Sequence, residues 1–229
     1  MKYDLRKFIV SKKNKIILIT PPKTGTYSIT NYLNNTISDK SLPINQVSYP
    51  IYHLTISEIC HIFDINQLEL KNYKIIQCVR SPYNRIASAY FHQMKLQNMH
   101  IGFEQFLEKI QKTKHLLPHN LDEFYIRFYG NLTHKYKSFN NGNWGGVRFY
   151  YEQNWFNDLN LDNITYFKLE DLSIDSSSLS NFIGVNTNKF PHINKNKTPT
   201  DYSKLYNKKC ISIVSELYKN DLKYFNYEF

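Results

Sequence analysis

Three groups of residues in this chain have types and spacings suited to chemistry on an anion. The first is Pro21-Pro22-Lys23-Thr24-Gly25-Thr26-Tyr27-Ser28. Its glycine lets the backbone approach a ligand closely, Thr26 and Ser28 can donate hydroxyls, and Lys23 is a mobile point charge. The second pairs Arg80 with Ser88 in Val79-Arg80-Ser81-Pro82-Tyr83-Asn84-Arg85-Ile86-Ala87-Ser88. A guanidinium there suits bidentate contacts with phosphate-like oxygens. The third is His53, in Tyr52-His53-Leu54-Thr55, because imidazole is the side chain poised to take a proton near neutral pH. Each group also has a plainer explanation. The first would look the same as a strand–helix turn with a solvated lysine, the second as an arginine paired with a carboxylate. The third would look the same as a helix-flanking histidine satisfied by backbone groups.

The elements around these groups place them where ligands bind. Ile16-Ile17-Leu18-Ile19 is an apolar run of β-formers inside a strand predicted over Lys15–Thr20, and it feeds straight into the first group. A helix is predicted over Thr26–Asn35 behind it, so backbone N–H groups, the helix dipole and Lys23 converge on one point. Lys74-Ile75-Ile76-Gln77-Cys78-Val79 is a second buried strand. It ends at Arg80, at the carboxyl end of a parallel strand, where α/β folds place ligands. Ser81-Pro82 then supplies an N-cap and an N1 proline. The helix that follows is predicted to run to about Met94, with Ile86, Ala89, Tyr90 and Met94 on one buried face and Ser88 two turns along. His53 precedes a short helix predicted over Ile56–Phe63.

The remaining segments continue the alternation. Helices are predicted over Phe103–Lys112 and Leu121–Phe128, near Ser177–Ile183, and as one long terminal helix over Lys204–Phe225. A last strand is predicted over Ile164–Leu169, and a weak extended stretch near Gln46–Tyr49. Phe139–Gly146, read FNNGNWGG, and the basic stretch Asn186–Thr200 are predicted loops. No repeat or linker interrupts the pattern. The expectation is an α/β fold, a single domain over residues 1–229 with a central, mainly parallel sheet flanked by helices.

Composition narrows the partners. A formal net charge of +10 points to an anionic partner, although the lysines are mostly scattered in the manner of a solvated surface. Cys60, Cys78 and Cys210 are too few and too widely spaced for a disulfide framework or a Cys-x-x-Cys metal pair. Cys78, inside an apolar run, reads as a core residue, and a reducing compartment is the simplest fit. The first fifteen residues lack the apolar core of a signal peptide, and no stretch reaches transmembrane length. Read as given, the chain is expected to be cytoplasmic, with no membrane segment and no metal site.

The order of residues in the first loop is informative. A P-loop nucleotide site requires Gly-Lys-Ser/Thr, whereas here the lysine precedes the glycine. PKTGTYS after the first strand, with VRSPYNRIASAY after a later one, resembles the donor-binding pair of the PAPS-dependent sulfotransferases (PAPS is 3′-phosphoadenosine 5′-phosphosulfate). The similarity is closest to the Golgi-type carbohydrate sulfotransferases and their bacterial relatives. It continues weakly through His119–Gly130 and strengthens again at FKLEDL, residues 167–172, and PHINK, residues 191–195.

That resemblance implies a P-loop-like sulfotransferase fold and a set of roles. Lys23, Thr24, Gly25, Thr26, Tyr27 and Ser28 would form the 5′-phosphosulfate loop. Arg80 and Ser88 would hold the 3′-phosphate. Lys195 and Lys197 fall in the late loop that closes over the nucleotide in such enzymes, although Thr198-Pro199 follows where further basic residues often occur. In the uronyl 2-O-sulfotransferase-like branch a catalytic histidine stands in an extended segment before a short helix, a place that His53 matches. His53 would accept the proton of an acceptor hydroxyl, and Lys23 and the loop N–H groups would stabilise developing charge. PAPS is then the co-substrate, without a metal. The acceptor is expected to be a glycan or another hydroxyl compound, with an acidic polysaccharide suiting the positive charge.

Aromatic residues Trp144, Phe149, Tyr150, Tyr151 and Trp155 suit either sugar stacking or a core. Two other classes compete. A nucleoside-triphosphate-dependent kinase would need an Mg²⁺-binding acid, which Glu170-Asp171 offers, and a Gly-Lys-Ser/Thr loop, which is missing. A nucleic-acid-binding protein would need a concentrated basic stripe or a known module, and the sequence has neither.

Overall fold

The structure, a computed structural model, describes residues 10–37, 53–97, 100–113, 151–185 and 201–229. These residues divide into two compact units. The first takes its residues from Met1–Arg80 and Trp155–Lys197, the second from Ser81–Asn154 and Thr198–Phe229.

The first unit is a four-stranded sheet with helices. Its elements are β1 (Val10–Ser11), β2 (Ile16–Ile19), α1 (Thr26–Thr36), α2 (Ile56–Phe63), α3 (Gln67–Leu70) and β3 (Lys74–Val79). The second unit then contributes α4 (Pro82–Gln97) and α5 (Phe103–Thr113). The chain returns to the first for β4 (Ile164–Lys168), α6 (Leu169–Leu172) and α7 (Ser177–Ile183). It ends in the second with α8 (Lys208–Leu217) and α9 (Lys219–Phe225).

Strand order is β1-β2-β3-β4. β2 pairs with β3 in parallel, with Ile17 opposite Ile75 and Ile19 opposite Gln77. β3 pairs with β4 in parallel, with Cys78 opposite Phe167 and Val79 opposite Lys168. The carboxyl ends of three parallel strands therefore lie along one edge, and only β1 runs antiparallel. The expected α/β fold with a mainly parallel sheet is the fold observed. Both faces of the sheet are covered, as continuous apolar strands require. Ile16, Leu18, Ile76, Cys78 and Phe167 point to one side and pack with Ile29, Tyr32 and Leu33 of α1 and Leu179 and Ile183 of α7. Ile17, Ile19, Ile75, Gln77 and Val79 alternate to the other side and are equally buried.

In the second unit Tyr83, Ile86, Ala87 and Ala89 of α4 pack with Phe103, Phe106, Leu107 and Ile110 of α5 and Cys210, Ile213, Val214 and Leu217 of α8. Tyr90 and Met94 lie against the same core, so α4 buries the face its spacing predicts. Arg85 is also buried, beside Asp221 of α9 at 4.0 Å. It donates to the Tyr151 carbonyl and stacks over the Tyr218 ring. The Asp221 carboxylate accepts the N–H groups of Gln153 at 2.7 Å and Asn154 at 3.1 Å.

The long terminal helix predicted over Lys204–Phe225 is not continuous. Asn207 caps α8 by accepting from the Cys210 N–H, which separates that helix from a 3-10 turn over Ser203–Leu205. Tyr218, fully buried against Arg85, leaves helical geometry with ψ 33° and divides α8 from α9. The last strand stops at Lys168, and Leu169 already belongs to α6. β1 and α3 were not predicted. The stretches Gln46–Tyr49, Leu121–Phe128, Phe139–Gly146 and 186–200, with Trp144, Phe149 and Tyr150, lie outside the described residues. Tyr151 is a core residue, and Trp155 packs edge-on against Phe156.

Candidate active site

The chain leaves β2 at Thr20 and turns into α1, and the turn is held from within. Thr24 is fully buried and its hydroxyl donates to the Pro21 carbonyl at 2.7 Å, so that hydroxyl serves the loop itself. Lys23 and Gly25 both have left-handed backbones, with φ 68° and 80°. For a lysine this conformation costs about 1–2 kcal/mol, whereas glycine adopts it freely. Gly25 meets a second constraint. A Cβ there would lie 2.5 Å from Cδ1 of Leu169, the first residue of α6. The left-handed turn thus calls for glycine before any ligand does, and a larger residue would also have to displace the Leu169 side chain.

The start of α1 is open to an anion. Gly25 supplies no capping side chain, and the first turn carries no acidic residue. Thr26 Oγ1 is buried and has no hydrogen-bond partner among the described residues. Ser28 is buried, while Tyr27 is exposed. An uncapped helix N-terminus attracts negative charge, and an orphaned buried hydroxyl is satisfied when an oxyanion accepts from it. These residues fit a phosphate- or sulfate-bearing ligand.

Two cations belong to the same turn. Arg80, the residue after β3, donates from Nη1 to the Lys23 carbonyl at 3.3 Å. The Lys23 ammonium is pushed down to about 8, chiefly by burial and then by the Arg80 charge. A bound anion would relieve both penalties at once.

His53 reaches the turn from elsewhere in the chain. Its backbone is not extended; it bends with a left-handed φ of 63°. The ring Nδ1 lies 2.7 Å from the carbonyl oxygen of Thr20, 33 residues earlier. A carbonyl can only accept, so Nδ1 carries the hydrogen, and in the neutral ring the lone pair is on Nε2. That is the tautomer a proton acceptor at Nε2 requires. The backbone satisfaction that would suit a merely structural histidine also orients the ring for chemistry.

Two residues after His53, Thr55 caps α2. Its hydroxyl accepts from the Glu58 N–H, and the buried Glu58 carboxylate accepts from the Thr55 N–H at 2.8 Å. Ser57 donates both its N–H, at 3.0 Å, and its hydroxyl to Asp158, in the segment before β4. Burial pushes the Asp158 carboxyl above its ordinary value, against the pull of its bonds to Ser57.

The first unit therefore carries Lys23 to Ser28, His53 and Arg80. Ser88 is half-buried on α4, in the second unit. Lys195 and Lys197 lie outside the described residues. Arg85, in the same motif as Arg80, has a structural role in the buried cluster with Asp221. Sequence reasoning missed the Thr20 carbonyl, Leu169 and Asp158. A backbone carbonyl has no residue identity to read, and the other two come to the site from more than a hundred residues away. Among the described residues, no three His, Cys, Asp or Glu side chains gather as metal ligands. No helix there is long and apolar enough to cross a membrane.

Comparison with known proteins gives a family. Searches of curated proteins and of solved structures found no match. The family model described as Sulfotransferase family matches residues 6–228. That match covers the anion turn, the strand ending at Arg80, His53, and the β4–α6 junction that packs on Gly25. The chain belongs to the sulfotransferase family, and its activity is sulfuryl transfer.

Proposed function

We propose that the protein moves the sulfuryl group of PAPS to a hydroxyl of a carbohydrate, with His53 as general base. The observation that carries this reading is the bond from His53 Nδ1 to the Thr20 carbonyl at the mouth of the anion turn. It fixes the base-competent tautomer on the residue that opens the loop. PAPS supplies an activated sulfuryl group: the bond from sulfur to the 5′-phosphate oxygen breaks as the acceptor oxygen bonds to sulfur. Nε2 of His53 takes the proton that the acceptor hydroxyl sheds. Lys23, the Thr26 hydroxyl and the first N–H groups of α1 face the negative oxygens on the 5′ side and stabilise the charge that builds there. Thr24 contributes through the loop it braces, and Gly25 by allowing close approach.

Arg80 and Ser88 are proposed to hold the 3′-phosphate, and Lys195 and Lys197 to belong to a loop over the nucleotide. The carbohydrate acceptor is supported by the resemblance to the carbohydrate branch, and its acidic character by the net charge of +10. Calorimetry with PAP, the product nucleotide, tests the donor site. Saturable one-to-one binding is expected, lost on Lys23→Ala and much weaker for adenosine 5′-phosphate, which lacks the 3′-phosphate. No binding of PAP, or equal binding of both nucleotides, would overturn the donor assignment.

A further inference from the structure

His53 has a backbone conformation that must be held in place. A left-handed backbone is costly for a non-glycine residue, and the net return from one neutral ring-to-carbonyl hydrogen bond is comparably small. The Thr20 bond is therefore of the same order as the backbone strain at His53. The Thr55–Glu58 capping box lies within α2 and its cap, so it moves with the helix it starts. The Ser57–Asp158 pair is different. It ties the first turn of α2, four residues after His53, to a part of the chain 101 residues away through two hydrogen bonds to one carboxylate. Hydrogen bonds to an ionised group are about twice as strong as neutral ones, and Asp158 lies in the segment that leads directly into β4.

We propose that Asp158 is a positioning residue for His53: by clamping Ser57 it fixes the start of α2, and so holds the His53 ring on the Thr20 carbonyl. Asp158 does not touch the reacting atoms. This inference rests on reading His53 as the base, but its test reads ring geometry rather than turnover. The two can fail separately: a His53→Ala protein with full activity would remove the base and leave the clamp standing.

The test is two-bond ¹⁵N–¹H correlation of the histidine rings in the full-length protein, with His53 assigned by its loss in His53→Ala. The native protein is expected to show His53 as a single Nδ1–H tautomer. Asp158→Ala is expected to lose that signature and give mixed tautomers, while PAP affinity by calorimetry stays within about twofold, well under the tenfold that 1.4 kcal/mol represents. Asp158→Asn restores it, because an amide oxygen can accept the Ser57 N–H while the amide nitrogen donates to the Ser57 hydroxyl. Ser57→Ala removes one of the two bonds and gives the same loss in a milder form, which covers an Asp158→Ala protein that fails to fold. An unchanged His53 signature in Asp158→Ala, or in Ser57→Ala where Asp158→Ala does not fold, overturns the proposal, as does a signature lost in Asp158→Asn. So does a loss of PAP affinity of about tenfold or more, equivalent to 1.4 kcal/mol, in Asp158→Ala, since Asp158 would then support the whole turn rather than the histidine.

Discussion

Lys23 shows how one residue combines strain, burial and charge. Burial and the neighbouring Arg80 oppose a charged lysine at that position, and its left-handed backbone adds strain. The folded-state value near 8 lies below the ordinary lysine value of 10.5. Between those two pH values the unfolded chain holds the proton more tightly, so stability of the free protein rises with pH across that window. An anion reverses the preference by favouring the ammonium. PAP binding is therefore expected to take up a proton from about pH 8 upward and to weaken as pH rises through about 8. Calorimetry in buffers of different ionisation enthalpy measures the uptake. Lys23→Arg, which cannot deprotonate, should bind without it. Uptake that persists in Lys23→Arg would assign the proton to another group.

At the scale of elements, the candidate site is a strand–turn–helix unit with the Leu169 side chain of α6 beside its turn. Gly25 stands where α1 begins and where Leu169 of α6 packs. Gly25→Ala is expected to lower stability by about 1–2 kcal/mol from backbone strain alone, with a further loss from the clash. Urea unfolding measures the total. Adding Leu169→Ala should recover the clash but not the strain. Full recovery in the double variant would show that the left-handed turn carries no cost.

The same elements mark what local sequence could and could not specify. β3 and α2 begin and end where they are predicted, because an apolar run and a Thr-x-x-Glu box act within a few residues. The terminal helix is broken at Tyr218, where burial against Arg85 outweighs helix continuity, and nothing near Tyr218 in sequence signals that contact. β1 is only two residues long and has no period to read.

At the scale of the whole molecule, the family match over residues 6–228 and the order of the two anion motifs agree. The lysine-before-glycine loop was legible because its departure from the nucleoside-triphosphate pattern is itself a pattern. His53 was legible as a candidate from residue type and position. What sequence could not supply was the reason its ring is oriented, since a carbonyl 33 residues earlier and a carboxylate 101 residues from Ser57 meet only in the fold. The net charge of +10 agrees with an anionic partner.

The most direct test of this account is the rate of [³⁵S]sulfuryl transfer from PAPS by the native protein and by His53→Ala. The assay would run against a panel of desulfated polysaccharides, glycolipids and small alcohols, with PAP affinity measured alongside. The native protein is predicted to label a polysaccharide. His53→Ala is predicted to lose about 10²–10⁴-fold in kcat, the usual contribution of a general base, and to keep its PAP affinity. A His53→Ala protein that turns over at the native rate would contradict the account.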